Sequence, residues 1–439
     1  MKRSTLIILL IAAVAGVAVY FIENRSGNSS DEAAETKPPA FKFKREDVAG
    51  LTLVHGGQEI QLENRDNKWV ITRPVNATAD EAVLNSLVGS LISARLQREF
   101  APEGGDLKQY GLTEPAVKLE VKLKSGETHN IALGASDDLS LSAYAKIDGS
   151  QNVAVLPVSL LNDSNKSLND IRDRSVLGAS QYELSSFKIA NESGVYELEK
   201  KESEWNIKSP VTGRADESQV STMLADLTGA KAVEVVSEAV DDPAKYGLDK
   251  SKVSLTARLG AGGERTVSIG SKVDENYYAK ISDRPELLKV DSLFYEKLRT
   301  KLASLRSKQF IRLDREALAK VYVKNSNVTL VAEKKGDKWI VTEPADKKDK
   351  EASTFKIFTP LETAATEVLD KPSGAVAAKL AKPAVEVRLI DKGGKTTVLR
   401  ISSADGDSVY VKVDGQPEIY RVEKSVLEGL NFKADEAVN

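Results

Sequence analysis

The sequence predicts an α+β protein of three tandem repeats, each an antiparallel sheet with covering helices, behind one N-terminal transmembrane helix. Three observations predict it. An uncharged apolar run opens the chain, three tryptophans recur in one local phrase at a near-constant spacing, and short strand-like runs repeat in step around each of them. With 439 residues the chain is too long for one ordinary core, and roughly 100 to 200 residues per domain gives two to four.

The apolar run covers Ser4 to Ile22, preceded by Met1, Lys2 and Arg3. At 1.5 Å rise per residue it makes about 28 Å of helix, enough to span a bilayer. The basic pair before it keeps residues 1–3 in the cytoplasm and sends the rest of the chain across. Ala13-Val14-Ala15 fits a signal-peptidase site, but cleavage there would leave the apolar Val17 to Ile22 on the mature end, so residues 4–22 are read as a retained anchor. Residues 23–40 turn to Ser, Asn, Asp, Glu and Pro, the composition of a solvated linker.

The repeats are read from Trp69-Val-Ile-Thr-Arg-Pro74, Trp205-Asn-Ile-Lys-Ser-Pro210 and Trp339-Ile-Val-Thr-Glu-Pro344, spaced by 136 and 134 residues. Tyr110-Gly111-Leu112 recurs as Tyr246-Gly247-Leu248, and Ile131-Ala-Leu-Gly134 as Val267-Ser-Ile-Gly270. Tyr144-Ala-Lys, Tyr278-Ala-Lys and Tyr410-Val-Lys complete the series. A period this long gives each unit a core of its own, unlike a solenoid repeat. The modules are placed at residues 41–175, 176–308 and 309–439, the last divergent.

Within the first module, Leu51 to Val54, Glu59 to Glu63 and Trp69 to Thr72 read as a meander, ended by Pro74. Acidic residues at Asp80-Glu81 then start a helix whose apolar stripe is Val83, Leu84, Leu87, Val88, Leu91 and Ile92. Val117 to Leu123 and Ile131 to Leu133 form a hairpin around Ser125-Gly126, and Tyr144 to Ile147 and Val153 to Leu156 form another around Asp148-Gly149. A short helix from Val158 to about Leu168 closes the unit, with counterparts starting at Val290 and Val422. In the third module Pro360 should shorten the long helix or delay its start, and Ala378-Lys379-Leu380 stands where Tyr-Gly-Leu is expected.

The residues point away from catalysis. No cysteine is present, which removes disulfides, thiolate metal sites and Cys nucleophiles. A net charge of -3 with both signs mixed gives no field to attract nucleic acid. His55 and His129 lack a second ligand at metal spacing, and Gly260-Ala-Gly262-Gly263 lies between strands as a hairpin turn, without the helix of a phosphate loop. No catalytic, cofactor-binding or metal residue is therefore assigned. Trp69, Trp205 and Trp339 are read as core anchors, Pro74, Pro210 and Pro344 as strand exits, and Gly111 and Gly247 as positive-φ turn positions between Tyr110 or Tyr246 and the returning leucine. Arg172, Arg174, Arg306 and Lys308 fall at the module boundaries, as candidates for contacts between modules.

These phrases, behind an N-terminal anchor, resemble a bacterial family catalogued as domain of unknown function 4340, over residues 41 to 439 and most clearly in the first two copies. The resemblance implies an envelope complex, because such proteins are often encoded beside auxiliary and permease components of an ABC transporter like that of gliding motility. It carries over no catalytic residue. The expected function is a non-catalytic scaffold or adaptor in the inner membrane, its modules periplasmic or extracellular and its partners ABC-transporter subunits. A module binding an envelope glycan or lipid is the alternative, and an enzyme the reading least supported.

Overall fold

The computed structural model describes residues 37–137, 139, 141–260 and 263–439. The anchor expected at 4–22, residues 1–3, the linker up to residue 36 and two residues of the glycine-rich turn lie outside the described residues. Among the described residues no helix is long and apolar enough to cross a membrane. The described residues form two compact units, the first ending at Arg174 and the second running from Ser175 to Asn439. The first carries one sheet, the second two.

In the first unit a meander of β1 (Val48–His55), β2 (Gln58–Arg65), β3 (Lys68–Arg73) and β4 (Ala77–Thr78) is joined through β1 to β6 (Val117–Leu123). The sheet continues through β7 (Thr128–Ser136), β8 (Ser142–Ile147) and β9 (Val153–Pro157) and ends on β5 (Arg98–Phe100). Every pair is antiparallel. Strict alternation along β6, with Val117, Leu119, Val121 and Leu123 buried and the lysines and glutamate between them exposed, gives the sheet one core face and one outer face. The helix Glu81–Ser93 lies on the core face because Leu84, Leu87, Val88 and Leu91 form one stripe. Asp80 caps it by accepting from the Ala82 and Val83 N–H groups.

The second unit repeats this strand order in a nine-stranded sheet from Leu184–Asn191 to Leu287–Asp291. Its other sheet, from Leu318–Lys324 to Ile419–Glu423, has eight strands in the same order, and the place of β4 is held by a single bridge between Ile340 and Glu351. Each sheet has its own main core of buried side chains. Burying one Leu, Ile or Phe contributes about 1.5–3 kcal/mol, so each core is large enough to organise its own module.

Several element boundaries differ from those predicted. The chain is already pinned at Pro38, whose carbonyl accepts from Leu96 N–H, and at Ala40, which donates to the Ala94 carbonyl. The closing helix breaks into Val158–Ser164 and Leu168–Ile171, since Ser167 and Asp170 form a capping box that starts a new turn. Its counterparts start at Ser292 and Ser425, because Val290 and Val422 stay buried in strands. The third long helix is shortened: it runs as α-helix over Thr354–Phe358, and Pro360 sits at the start of a 3-10 turn, Thr359–Glu362, where its missing N–H is tolerated.

Candidate functional site

Each tryptophan lies within its module's core, with Trp69 and Trp339 4% and Trp205 6% exposed. The indoles of Trp205 and Trp339 meet Phe187 and Phe358 at ring-centroid distances of 5.4 and 5.2 Å. The backbone is fixed as well. Trp69 and Trp205 donate their N–H groups to Glu81 and Glu217 at 2.8 and 2.6 Å, and all three tryptophan carbonyls accept from an alanine N–H, of Ala79, Ala215 and Ala352. The bonds preceding Pro74, Pro210 and Pro344 are all cis, and in each module the register with the neighbouring strand shifts just before that proline. Sequence alone gave a strand exit at these prolines; nothing in the phrase announced the isomer.

The tyrosine phrases meet on the other face of the sheet. In β8, Ala143 and Ala145 enter the core, so Tyr144 points outward, where its ring packs edge-on against Tyr110 at 4.9 Å. Tyr246 and Tyr278 repeat this at 5.0 Å. Gly111 and Gly247 adopt φ of 64° and 68°. Gly134 and Gly270 are needed for a different reason, since a Cβ at either would run into the carbonyl of Tyr110 or Tyr246. The two glycine phrases are thus halves of one close backbone approach.

In the third module this approach is gone. The helix Gly374–Ala381 takes the place of the Tyr-Gly-Leu turn, and Val376 and Leu380 form a small cluster with Tyr410 and Ile419. Ser402 follows Ile401 where the other copies have glycine, and its hydroxyl accepts from Tyr410 N–H at 2.9 Å. The Tyr410 hydroxyl donates to Asp405 at 3.1 Å. Lys379 and the Tyr410 hydroxyl hold the Asp405 carboxyl below the ordinary carboxylate value.

Of the four boundary residues, Arg306 and Lys308 flank the passage between the two sheets of the second unit. Arg306 is 6% exposed and bridges Ala215 through its backbone, closing the second module. Lys308 is exposed, and its carbonyl accepts from Ala365 N–H of the third. The Arg306 guanidinium reaches Asp370 at 2.5 Å and lies 3.8 Å from Glu418, both in the third module. In the first unit, Arg172 is buried and bridges Ala79 as Arg306 bridges Ala215. Asp170 lies below its ordinary carboxylate value because the Ser167 hydroxyl donates to it, with the Arg174 charge adding to the effect. Asp370 and Glu418 escaped sequence reading, because they sit 64 or more residues beyond Arg306 and in no repeated phrase.

A cleft of about 370 Å³ opens beside this junction, lined by Trp205, Arg214, Glu217, Lys308, Arg312 and Ala364 among others. Much of its polar surface is already engaged: Arg312 pairs with Glu204, Arg214 donates to the Gln309 carbonyl, and Glu217 holds Trp205 N–H. The histidine reading changes in one respect. Folding brings Asp148 to 2.9 Å and Glu127 to 3.4 Å from the His129 ring nitrogens, with Phe41 and Phe43 beside the ring. Among the described residues no group of three or more such side chains is arranged to hold a metal ion. Among the described residues, the carboxylates whose titration departs from the ordinary value lie below it.

The model of the family described as "Domain of unknown function (DUF4340)" matches residues 69–213 and again 205–371. This chain belongs to that family. Each DUF4340 match opens on a tryptophan and runs to or past the corresponding phrase of the next copy, so the family frame is offset from the sheets by part of a module. No curated protein matches the chain. Solved structures with some likeness are a DNA polymerase sliding clamp from Pseudomonas aeruginosa with ligand, 10% identical over 89% of this chain and 97% of the clamp at a TM-score of 0.14. The DNA polymerase III subunit beta from Pseudomonas aeruginosa matches at 10% identity over 88% and 94%, also at 0.14. The binding domain of botulinum neurotoxin DC in complex with SialylT matches at 9% over 81% and 77%, at 0.10. At such scores no common fold is implied, and nothing about this chain follows from them.

Proposed function

We propose that this DUF4340 protein is a non-catalytic scaffold or adaptor, anchored in the inner membrane by residues 4–22, whose modules beyond the membrane bind protein partners of the envelope. One observation carries the reading. The repeated tryptophans face the cores while the repeated tyrosines lie on the opposite faces of the same sheets, so the repeated residues serve packing and do not converge on a shared ligand site. Repetition of a module that stands on its own core suits a spacer that presents surface to other proteins. ABC-transporter subunits are the partners the family resemblance suggests. Nucleic acid is not among them, given the balanced charge.

The test is affinity purification of the tagged full-length chain from its own membranes in mild detergent, beside a version lacking residues 1–23. Transporter subunits recovered with both would locate the contact in the modules, and recovery with the full-length chain alone would locate it in the anchor. No partner above background in either sample would contradict the scaffold. The cleft beside Trp205 favours a second reading, a binding module for an envelope glycan or lipid, because its volume falls in the lower range of small-molecule sites, roughly 300–1,000 Å³. Saturable binding of such a ligand, lost on Lys308→Glu, would favour this reading.

A further inference from the structure

We propose that Arg306 is an orientation lock that holds the second and third modules as one rigid body. The inference concerns only the second unit and stands apart from the anchor and its partners. The chain passes from one module to the next over a single residue: Arg306 still bridges Ala215 of the second module, and Lys308 already bonds Ala365 of the third. Such a short passage would act as a hinge if nothing held it. Arg312 with Glu204 and Arg214 with the Gln309 carbonyl cross it in solvent-exposed bonds, and a buried charge cluster holds it from inside. The Arg306 and Glu418 side chains are each 7% exposed, and Asp370, 41% exposed, closes the solvent side.

The surroundings are fitted to this cluster. Gly213 lies in the short strand Gly213–Arg214, beside the Ala215 bridge, and a Cβ there would run into the Glu418 carboxylate. The glycine therefore leaves room for the acid to approach the guanidinium. The guanidinium hydrogen-bonds Asp370 and lies at ion-pair distance from Glu418, and a small rotation of one module on the other would separate these charges before water could take their place. A buried pair of this kind adds little net stability compared with an apolar replacement of equal volume, so its effect should appear as a fixed angle between modules.

The absence of cysteine from the chain makes the test direct. Lys200→Cys in the second module and Lys395→Cys in the third, both at exposed positions, take spin labels in the full-length protein, and pulsed electron resonance reads the distance distribution between them. The parent should give one narrow distribution. Asp370→Asn with Glu418→Gln should broaden it at least twofold, with an unchanged circular dichroism spectrum. Arg306→Met with Glu418→Leu, which replaces the buried pair by apolar side chains of similar volume and leaves Asp370 to solvent, should keep the parent's melting temperature but leave the distribution broad. Should the acid-free variant not fold, this second pair decides. A distribution as narrow as the parent's in either folded variant would overturn the lock, since packing alone would then fix the angle.

Discussion

The second and third modules, each on its own sheet of the same strand order, solve one packing problem in two ways. In the second, a glycine at 270 lets the Tyr246-Gly247 backbone lie directly on the sheet's outer face, and the Tyr246 ring packs on Tyr278. In the third, the helix Gly374–Ala381 covers that face with Val376 and Leu380, and a hydroxyl at Ser402 ties down Tyr410. A repeated phrase can therefore be lost without losing the element it supports, provided apolar cover and hydrogen bonding arrive by another route.

The sharpest way to break the comparison is the feature both modules retain. Trp205→Ala and Trp339→Ala should each cost about 3–5 kcal/mol, the usual range for emptying a large aromatic site, and denaturant titration should show similar losses for the two. A much smaller loss in one module would mean that its tryptophan is not a core anchor. Next comes the glycine on which only the second module depends. Gly270→Ala should destabilise by about 1–3 kcal/mol because the new methyl has to displace backbone, not a yielding side chain. Ser402→Ala, at the matching place, should cost about 1–2 kcal/mol through the loss of its bond to Tyr410 N–H.

The smallest expected effect depends on pH. Asp405 is exposed, and its carboxyl is held below the ordinary value of 3.8 by Lys379 and Tyr410. Because the folded value is the lower one, this contribution is complete above 3.8 and is lost as pH falls through the folded value. Tyr410 acts at the other end: burial raises its ionisation above the ordinary 10.0, so its contribution is full below that pH and fades as pH rises through the folded value. Asp405→Asn should therefore flatten the acid limb of the third module's stability profile and leave the second module's unchanged.

Much of this fold was legible because its signals are periodic. The tryptophan phrases, the helix stripe through Leu84, Leu87, Val88 and Leu91, the alternation along β6 and the Asp148-Gly149 turn all follow from side-chain spacing and turn chemistry. Gly111 was legible as a positive-φ position, but the role of Gly134 was not, because its partner is a backbone carbonyl brought to it only by folding. The helix Gly374–Ala381 stands where the repeat predicts a Tyr-Gly-Leu turn: matching the third copy to the other two points away from a helix, while Ser373 and the alanines after it form a capped one. Arg306 was visible as a boundary cation, whereas Glu418 and Asp370 lie too far along the chain for any local pattern to join them to it.

The central claim is that the repeated phrases hold each module's own structure, and the three tryptophans, one per module, provide the means to test it. Two full-length versions would keep either Trp205 or Trp339 alone, the other tryptophans being changed to phenylalanine, and urea titration followed by fluorescence would compare each with and without Gly270→Ala. The account predicts that the substitution lowers the midpoint reported by Trp205 and moves that of Trp339 by less. Equal shifts at both tryptophans, or none at Trp205, would contradict it.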